Sequence, residues 1–189
     1  MSFLDSRPRI LAVAGPNGSG KSTITKGLPI TGTYVNADEI KRVSYCTDLE
    51  AAQEAEQIRQ MLLKAHKDFT FETVLSTDRN LELLRRAKAE GYEIHAMFVL
   101  TNNPEINVRR VKARVKAGGH DVPVEKIISR YERSLRNLPQ LVRIADHTRV
   151  IDNSGEEPHL ICEVVNMNLT IWECKQWSKA AILRLFSGK

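Results

Sequence analysis

The sequence predicts an α/β fold, in which a mostly parallel β-sheet is covered by helices on both faces. Short apolar runs of strand length alternate along the chain with segments whose apolar residues recur at helical spacing, and this alternation is typical of parallel sheets. The 189 residues are 42% hydrophobic and 27% charged, which excludes a largely disordered chain. The length is typical of a single domain, and we therefore expect one domain over residues 1–189.

The first predicted strand is the apolar run Arg9–Ala14, which ends at a glycine-rich turn, and a helix begins near Lys21. A short strand is predicted at Thr33–Asn36. Apolar residues at intervals of three and four predict a helix over Leu49–Lys67. The next elements are a strand at Phe69–Leu75, an amphipathic helix at Arg79–Glu90 that Gly91 ends, and a strand at Tyr92–Leu100.

Two helices joined by a glycine turn are predicted next. The first opens at Pro104, which suits the first turn of a helix, and Gly118-Gly119-His120-Asp121 ends it. Pro123 opens the second, which is predicted to run to about Asn137. The chain then continues with a strand at Thr148–Asp152, an edge hairpin of Leu160–Val165 with Leu169–Trp172, and a helix at Ala180–Phe186. Residues 109–137 are the predicted lid, and residues 158–189 a C-terminal extension.

Composition and charge exclude several classes of protein. Cys46, Cys162 and Cys174 form no C-x-x-C pair, which argues against a disulfide framework or a zinc site. The apolar runs are far shorter than the ~20 residues that cross a bilayer, and Asp5 argues against a signal peptide. We therefore expect a cytoplasmic protein with no membrane partner. The net charge of +5 is uneven, because residues 109–149 hold 11 basic residues and 4 acids, and such a segment suggests an anionic partner.

The glycine-rich segment after the first strand has the form of a phosphate-binding loop. Residues 15–22 fit G-x-x-x-x-G-K-[ST] at every position. Its glycines let backbone N–H groups point inward at phosphate oxygens. Lys21 can reach the β- and γ-phosphates, and the Ser22 hydroxyl can bind Mg²⁺. The sequence thus predicts a P-loop NTPase three-layer sandwich that binds ATP and Mg²⁺ through Gly15, Pro16, Asn17, Gly18, Ser19, Gly20, Lys21, Ser22 and Thr23.

Two acidic residues follow strands whose carboxyl ends face the predicted site. Asp38 could accept the proton of a substrate hydroxyl that attacks the γ-phosphate; alternatively, it caps a helix that begins at Glu39. Glu72 precedes Thr73 at the end of an otherwise apolar strand, where an acid without a partner is costly. A functional role is therefore favoured for Glu72. The alternatives are an ordinary polar strand end and a metal-site carboxylate, although no apolar run ending in Asp is present.

The basic residues of the predicted lid form pairs on helix faces. Arg110 and Arg114 are four residues apart, and Arg130 and Arg133 are three apart. Like charges at these spacings repel unless an anion lies between them. Arginine donors near a transferring phosphoryl group stabilise its developing charge, so we expect this Arg-rich segment to close over ATP. A solvated helix face is the alternative.

Several motifs between Ile10 and Gly155 resemble the zeta-toxin family of P-loop kinases, whose members transfer the ATP γ-phosphate to the 3′-hydroxyl of UDP-N-acetylglucosamine. The motifs appear in the family's order and spacing: Gly15–Thr23, Val35-Asn36-Ala37-Asp38-Glu39-Ile40, Phe71-Glu72-Thr73-Val74-Leu75-Ser76, and the stretch from Arg110 through Gly118-Gly119-His120-Asp121-Val122-Pro123. The resemblance implies the same fold and a kinase that acts on a UDP-amino sugar. It also implies a possible protein antitoxin as a partner.

The resemblance also implies roles for individual residues. Asp38 is then the catalytic base, and it contacts the acceptor together with Glu72, Thr73 and Arg110. Arg114 and a second arginine contact phosphate; Arg130 is favoured for this second position, with Arg133 next. His120 and Asp121 match the family's lid turn, although a polar turn that fixes the helix start explains them equally well.

Two other functions remain open at this stage. The first is a P-loop kinase whose acceptor is another small phosphorylated metabolite or a nucleoside. The second is a nucleic-acid-binding ATPase or a regulatory nucleotide switch. The basic segment contains a single aromatic residue, Tyr131, whereas proteins that bind single-stranded nucleic acid use several for stacking. Nucleic acid is therefore disfavoured as a partner.

Overall fold

A computed structural model describes residues 7–187, along which strands and helices alternate. The strands are β1 (Arg9–Ala14), β2 (Thr33–Val35), β3 (Phe69–Thr73), β4 (Glu93–Leu100), β5 (His147–Asp152), β6 (His159–Val165) and β7 (Asn168–Ile171). The helices are α1 (Lys21–Thr25), α2 (Ala37–Ser44), α3 (Asp48–Lys64), α4 (Arg79–Ala89), α5 (Pro104–Lys116), α6 (Val124–Ile144) and α7 (Lys179–Arg184).

The strands form one sheet in the order β2-β3-β1-β4-β5-β6-β7. Neighbouring strands from β2 to β5 pair in parallel, and β6 and β7 add an antiparallel hairpin at one edge. The predicted α/β class and the predicted edge hairpin are therefore confirmed. Because β1 lies between β3 and β4, the loops that follow these three strands meet at one end of the sheet.

The main core lies against this sheet and fixes the helices on it. Phe69, Phe71 and Phe98 are fully buried, together with leucines from α4 and α6. A second, smaller cluster joins α5 to the first turns of α6 through Val111, Val122 and Ile127. The two helices of the predicted lid thus pack on each other as well as on the body of the protein.

The sixth helix is longer than predicted. It continues past Asn137 to Ile144 and includes Pro139. A proline inside a helix removes one backbone hydrogen bond. Here Leu138 and Leu141, on either side of it, are fully buried in the core, and packing of an apolar face outweighs intrinsic helix propensity.

The expectation of no export rested on the first residues of the chain, and residues 1–6 lie outside the described part. Within residues 7–187, no helix is long and apolar enough to span a membrane.

Candidate active site

A cavity of about 510 Å³ opens where the loops after β1, β2 and β3 meet. It brings together most of the residues predicted from the sequence. The lining residues are Asn17, Gly18, Gly20, Lys21, Ser22, Thr23, Asn36, Ala37, Asp38, Glu72, Thr73, Val74, Arg110, Val111 and Arg114. Gly15, Pro16 and Ser19 are buried in the loop behind this surface. Arg130 is not part of the lining.

The phosphate-binding loop depends on glycines for close approach. Gly15 has φ +140, and a Cβ there would lie 2.0 Å from the Val99 carbonyl oxygen. Gly20 has φ +94, and its Cβ would lie 2.2 Å from the Asn153 side-chain nitrogen. Residues other than glycine rarely adopt such backbone angles, and a Cβ at either position would clash with a neighbouring atom. Both positions therefore require glycine for two independent reasons.

Two asparagines hold the outer side of this loop. The buried Asn107 of α5 donates through Nδ2 to the Asn17 carbonyl oxygen at 2.6 Å. Asn153, directly after β5, donates through Nδ2 to the Ser19 carbonyl oxygen at 2.8 Å. Two carbonyl oxygens of the phosphate-binding loop are thereby hydrogen-bonded to the rest of the protein. Neither asparagine was predicted from the sequence, because its role depends on contacts across the fold.

Lys21 is folded back against its own loop. Its Nζ donates to the carbonyl oxygens of Gly15 at 2.7 Å and Pro16 at 3.0 Å. Burial lowers the pKa of Lys21 to about 8, an effect that the nearby carboxylates of Glu72 and Asp38 partly oppose. A desolvated ammonium group beside uncharged oxygens is well placed to bind an incoming phosphate.

Glu72 connects the phosphate-binding loop to the edge of the sheet. Its Oε2 accepts a hydrogen bond from the Ser22 hydroxyl at 2.8 Å, and its Oε1 accepts one from the Tyr34 hydroxyl at 2.7 Å. Tyr34 also accepts a bond from Asn36 Nδ2 at 2.9 Å. Burial and the bond to Glu72 raise the pKa of Tyr34, so its hydroxyl is a stable donor to this carboxylate.

Asp38 does not cap the helix that carries it, and that alternative is wrong. The helix begins at Ala37, and the side chain of Asn36 accepts the hydrogen bond from the Asp38 backbone N–H at 2.9 Å. The Asp38 carboxylate is therefore free of this task. It is exposed on the first turn of α2 and lines the cavity with Lys21 and Ser22.

Thr73 also lines the cavity, but its hydroxyl has partners within the protein. The oxygen accepts hydrogen bonds from the Leu75 backbone N–H at 2.9 Å and from Asn80 Nδ2 at 2.8 Å. Its carbonyl oxygen accepts a bond from the Gly15 N–H at 3.2 Å. These contacts hold the loop after β3 next to the phosphate-binding loop.

The predicted arginines occupy different positions around the cavity. Arg110 and Arg114 line it; Arg110 donates to the Gly155 carbonyl at 3.4 Å and Arg114 to the His120 carbonyl at 2.9 Å. Arg130 donates to Asn17 Oδ1 at 3.4 Å. Arg133 is exposed and donates to a carbonyl of its own helix.

The cations of the site share one property. Within residues 7–187, Lys21, Arg110, Arg114 and Arg130 have no carboxylate within 4.0 Å and bind uncharged oxygens instead. Asp38 and Glu72 line the same cavity but lie more than 4.0 Å from these cations, and a cation without a carboxylate partner is available to an anionic ligand. The geometry therefore defines a site for a polyphosphate.

Comparison with known proteins agrees with this fold. The chain superimposes on AvrRxo1-ORF1 in its crystal structure with AvrRxo1-ORF2 and ATP, with a TM-score of 0.72 and 14% identity, over 98% of this chain and 65% of that one. It thus spans just under two thirds of that protein. It also superimposes on a structure of the PezAT chromosomal toxin–antitoxin system of Streptococcus pneumoniae, with a TM-score of 0.58 and 17% identity, over 97% of this chain and 85% of that one. The fold and the glycine-rich loop are those of a P-loop nucleotide-binding protein.

Sequence comparison gives the family. Residues 31–160 match the family model described as Zeta toxin. A protein of Haemophilus influenzae, described as uncharacterised, is 31% identical over 123 residues, which cover 62% of this chain and 88% of the relative. The chain belongs to the zeta-toxin family, and it is an ATP-dependent kinase by class.

Proposed function

We propose that the protein transfers the γ-phosphate of ATP to the 3′-hydroxyl of UDP-N-acetylglucosamine or a closely related UDP-amino sugar. The observation that carries this proposal is the position of Asp38. Its carboxylate faces the same cavity as Lys21 and Ser22, and Asn36 relieves it of helix capping. A carboxylate there can accept the proton of a hydroxyl that attacks the γ-phosphate. The choice of a UDP-amino sugar rests on the family resemblance.

The phosphates of ATP would lie in the glycine-rich loop. Lys21 would exchange its bonds to the Gly15 and Pro16 carbonyls for the β- and γ-phosphate oxygens. Arg114 lines the same cavity, and Arg130 is held at the loop by Asn17. Donors in these positions would stabilise the charge that develops on the transferring phosphoryl group.

The side chains around Ser22 fit Mg²⁺. The Ser22 hydroxyl and the Glu72 carboxylate are in contact, and oxygen ligands of this kind are those that Mg²⁺ prefers. Among residues 7–187, no group of three or more histidine, cysteine, aspartate or glutamate side chains could hold a metal ion, so phosphates and water would complete the coordination. Bound Mg²⁺ would neutralise charge on the β- and γ-phosphates. Ser22 would be its direct ligand and Glu72 would hold its water.

The acceptor would enter on the other side of the γ-phosphate. Asn36, Asp38, Glu72 and Val74, at the ends of β2 and β3, line the cavity next to the phosphate-binding loop. The carboxylates can accept hydrogen bonds from sugar hydroxyls, and the Asn36 amide nitrogen can donate one. Thr73 shapes the loop through the bonds described above. Asp38 would orient the attacking hydroxyl and take its proton.

The decisive experiment offers several acceptors in parallel. Purified protein is incubated with γ-labelled ATP, Mg²⁺ and, separately, UDP-N-acetylglucosamine, other nucleotide sugars, nucleosides and short RNA. Label is expected in the UDP-amino sugar. Label only in RNA, or only as free phosphate, would contradict the proposal, and the latter result would favour a nucleotide switch.

Substitution of Asp38 tests the mechanism. Asp38→Asn removes the proton acceptor at constant size, so kcat is expected to fall by about 10² to 10⁴, while the Kd for ATP stays within about twofold of wild type. Glu39→Gln is the matched control, since Glu39 is the exposed neighbour of Asp38 on the same helix. Wild-type turnover by Asp38→Asn would remove Asp38 from the mechanism.

We also propose that a protein antitoxin binds this kinase, because the structural neighbours include a toxin–antitoxin system. Expression of the wild-type protein is then expected to arrest growth, and expression of Asp38→Asn to leave growth unaffected. Equal growth of cells that express the two proteins would contradict a toxic activity.

A further inference from the structure

A buried asparagine lies between the phosphate-binding loop and the helix that carries Arg110 and Arg114. Asn107 is fully buried in α5. Its Nδ2 donates to the Asn17 carbonyl oxygen at 2.6 Å, and its Oδ1 accepts a hydrogen bond from the Thr101 hydroxyl. The Asn107 amide therefore joins α5 to the loop after β1 on one side and to the end of β4 on the other.

The backbone of α5 touches the loop at the same point. Gly18 has φ +77, and a Cβ there would lie 2.6 Å from the Asn107 carbonyl oxygen and 3.0 Å from the Asn107 Cα. These distances leave no room for a side chain at position 18. The loop and the first turn of α5 are thus in direct backbone contact, and the Asn107 amide fixes their relative position through a hydrogen bond.

A second pair of bonds connects the loop to α6. The Tyr131 hydroxyl donates to the Thr101 carbonyl oxygen, and both residues are buried. The neighbouring Arg130 donates to Asn17 Oδ1 at 3.4 Å. Both helices of the predicted lid therefore hold Asn17, α5 through its carbonyl oxygen and α6 through its side chain.

Asn107 and Arg114 lie on one face of α5. They are seven residues apart within this helix, so they differ by about 20° around its axis and by about 10 Å along it. Between them, Val111 is buried against Val122 and Ile127 in the smaller core cluster. Arg114 lines the cavity. Because the helix is fixed to the loop at Asn107, the position of Arg114 relative to the loop depends on this asparagine.

We propose that Asn107 is a positioning residue, which holds the phosphate-binding loop and Arg114 at the separation that one ATP molecule requires. The inference rests on the proposed placement of the ATP phosphates between the loop and Arg114, and it does not depend on the acceptor. Both polar atoms of the Asn107 amide are used within the protein, so Asn107 acts through other residues. Donors that are already in place lose less freedom when the ligand binds. Loss of the amide is therefore expected to remove part of what Arg114 contributes.

The test is a double-mutant cycle between Asn107→Ala and Arg114→Ala, with the Kd of a non-hydrolysable ATP analogue as the readout. Arg114→Ala is expected to raise this Kd about tenfold, which is typical of the loss of one charge-assisted hydrogen bond. Asn107→Ala is expected to raise it about tenfold in the wild type but less than about threefold in the Arg114→Ala background. Residues that act independently give fold-changes that multiply, so a purely structural role for Asn107 would not produce this difference.

Thr101→Val tests the same inference with less risk to folding. It removes the hydroxyl that donates to Asn107 Oδ1 and leaves the residues of the cavity unchanged, and it is expected to raise the Kd about threefold. Thr148→Val is the matched control. Thr148 is also buried, and among residues 7–187 its hydroxyl has no hydrogen-bond partner, so its Kd is expected to equal that of the wild type. The thermal midpoint of each variant shows that it is folded.

Fold-changes that multiply in the cycle would overturn the inference, and so would an Arg114→Ala variant with the wild-type Kd. If Asn107→Ala does not fold, the cycle is run with Thr101→Val, and equal Kd values for Thr101→Val and the wild type would overturn the inference. These measurements contain no acceptor. Failure of this inference therefore leaves phosphorylation of UDP-N-acetylglucosamine intact as the proposed function, and failure of that function in the acceptor assay leaves this inference standing.

Discussion

The lowered pKa of Lys21 is expected to make ATP binding depend on pH in a range where a solvent-exposed lysine stays fully charged. In the free protein this pKa is about 8, because the ammonium group is buried against the Gly15 and Pro16 carbonyls. Phosphate oxygens next to the ammonium group favour its charged form and restore a higher pKa. The protein must then take up a proton when ATP binds above pH 8.

The magnitude follows from this pKa. A lysine with a pKa of about 8 is about nine-tenths protonated at pH 7 and about one-tenth at pH 9. If only the protonated form binds ATP, the Kd rises about tenfold between these two pH values, or about 1.4 kcal/mol. The direction of the change in Kd is fixed: ATP binding weakens as the pH rises, because the Lys21 charge that binds the phosphates is lost.

The assay is calorimetric titration with a non-hydrolysable ATP analogue at constant ionic strength, between pH 7 and pH 9. Repeating it in buffers of different ionisation enthalpy measures the proton uptake, which is expected to approach about one proton per ATP at pH 9. Lys21→Arg is the control, since a guanidinium group does not titrate in this range. A flat Kd in the wild type, or an equal slope in Lys21→Arg, would refute the role assigned to Lys21.

Three further changes test other parts of the site. Gly20→Ala places a Cβ against the Asn153 amide. The free energy of unfolding, measured in urea, is expected to fall by about 1–3 kcal/mol, and calorimetry is expected to detect no ATP binding. Gly155→Ala, with no atom within 4 Å of the new Cβ, is the control, and equal stability of the two variants would contradict the argument. Tyr45 follows the last residue of α2 with φ +52, so Tyr45→Gly is expected to raise the free energy of unfolding by about 1 kcal/mol through relief of strain. A lower free energy of unfolding in urea than that of the wild type would contradict this. Glu72→Gln is expected to weaken Mn²⁺ binding in the presence of ADP about tenfold, measured by electron paramagnetic resonance, and unchanged binding would separate Glu72 from the metal.

The nucleotide half of the site could be predicted from the sequence because it is encoded locally. The loop from Gly15 to Ser22 follows a buried strand and opens a helix, and each feature is visible within a dozen residues. The alternation of strands and helices gave the sheet for the same reason. The end of α6 was missed, because burial of Leu138 and Leu141 in the core overrides the local effect of Pro139.

The contacts of Glu72 could not be predicted in this way. Glu72 is 50 residues from Ser22 and 38 residues from Tyr34, and it meets both only because β3 pairs with β1 on one side and with β2 on the other. The capping by Asn36 depends on where α2 begins, and a shift of one or two residues exchanges the roles of Asn36 and Asp38. Helix ends are the positions that sequence patterns define least well.

The two halves of the site differ in how strongly the fold constrains them. The nucleotide half is formed by backbone. Its glycines Gly15 and Gly20 lie so close to Val99 and Asn153 that a residue with a Cβ does not fit, so few sequences can form it. The proposed acceptor half consists of Asp38 on α2, none of whose residues is buried, together with Asn36, Glu72 and Val74. Packing therefore does not restrict the exposed residues of α2, and substitutions there cost the fold little. Substitutions on the exposed part of α2 next to Asp38 therefore test the proposed acceptor site with little effect on stability, whereas changes at Gly15 or Gly20 of the phosphate-binding loop affect the fold and the nucleotide together.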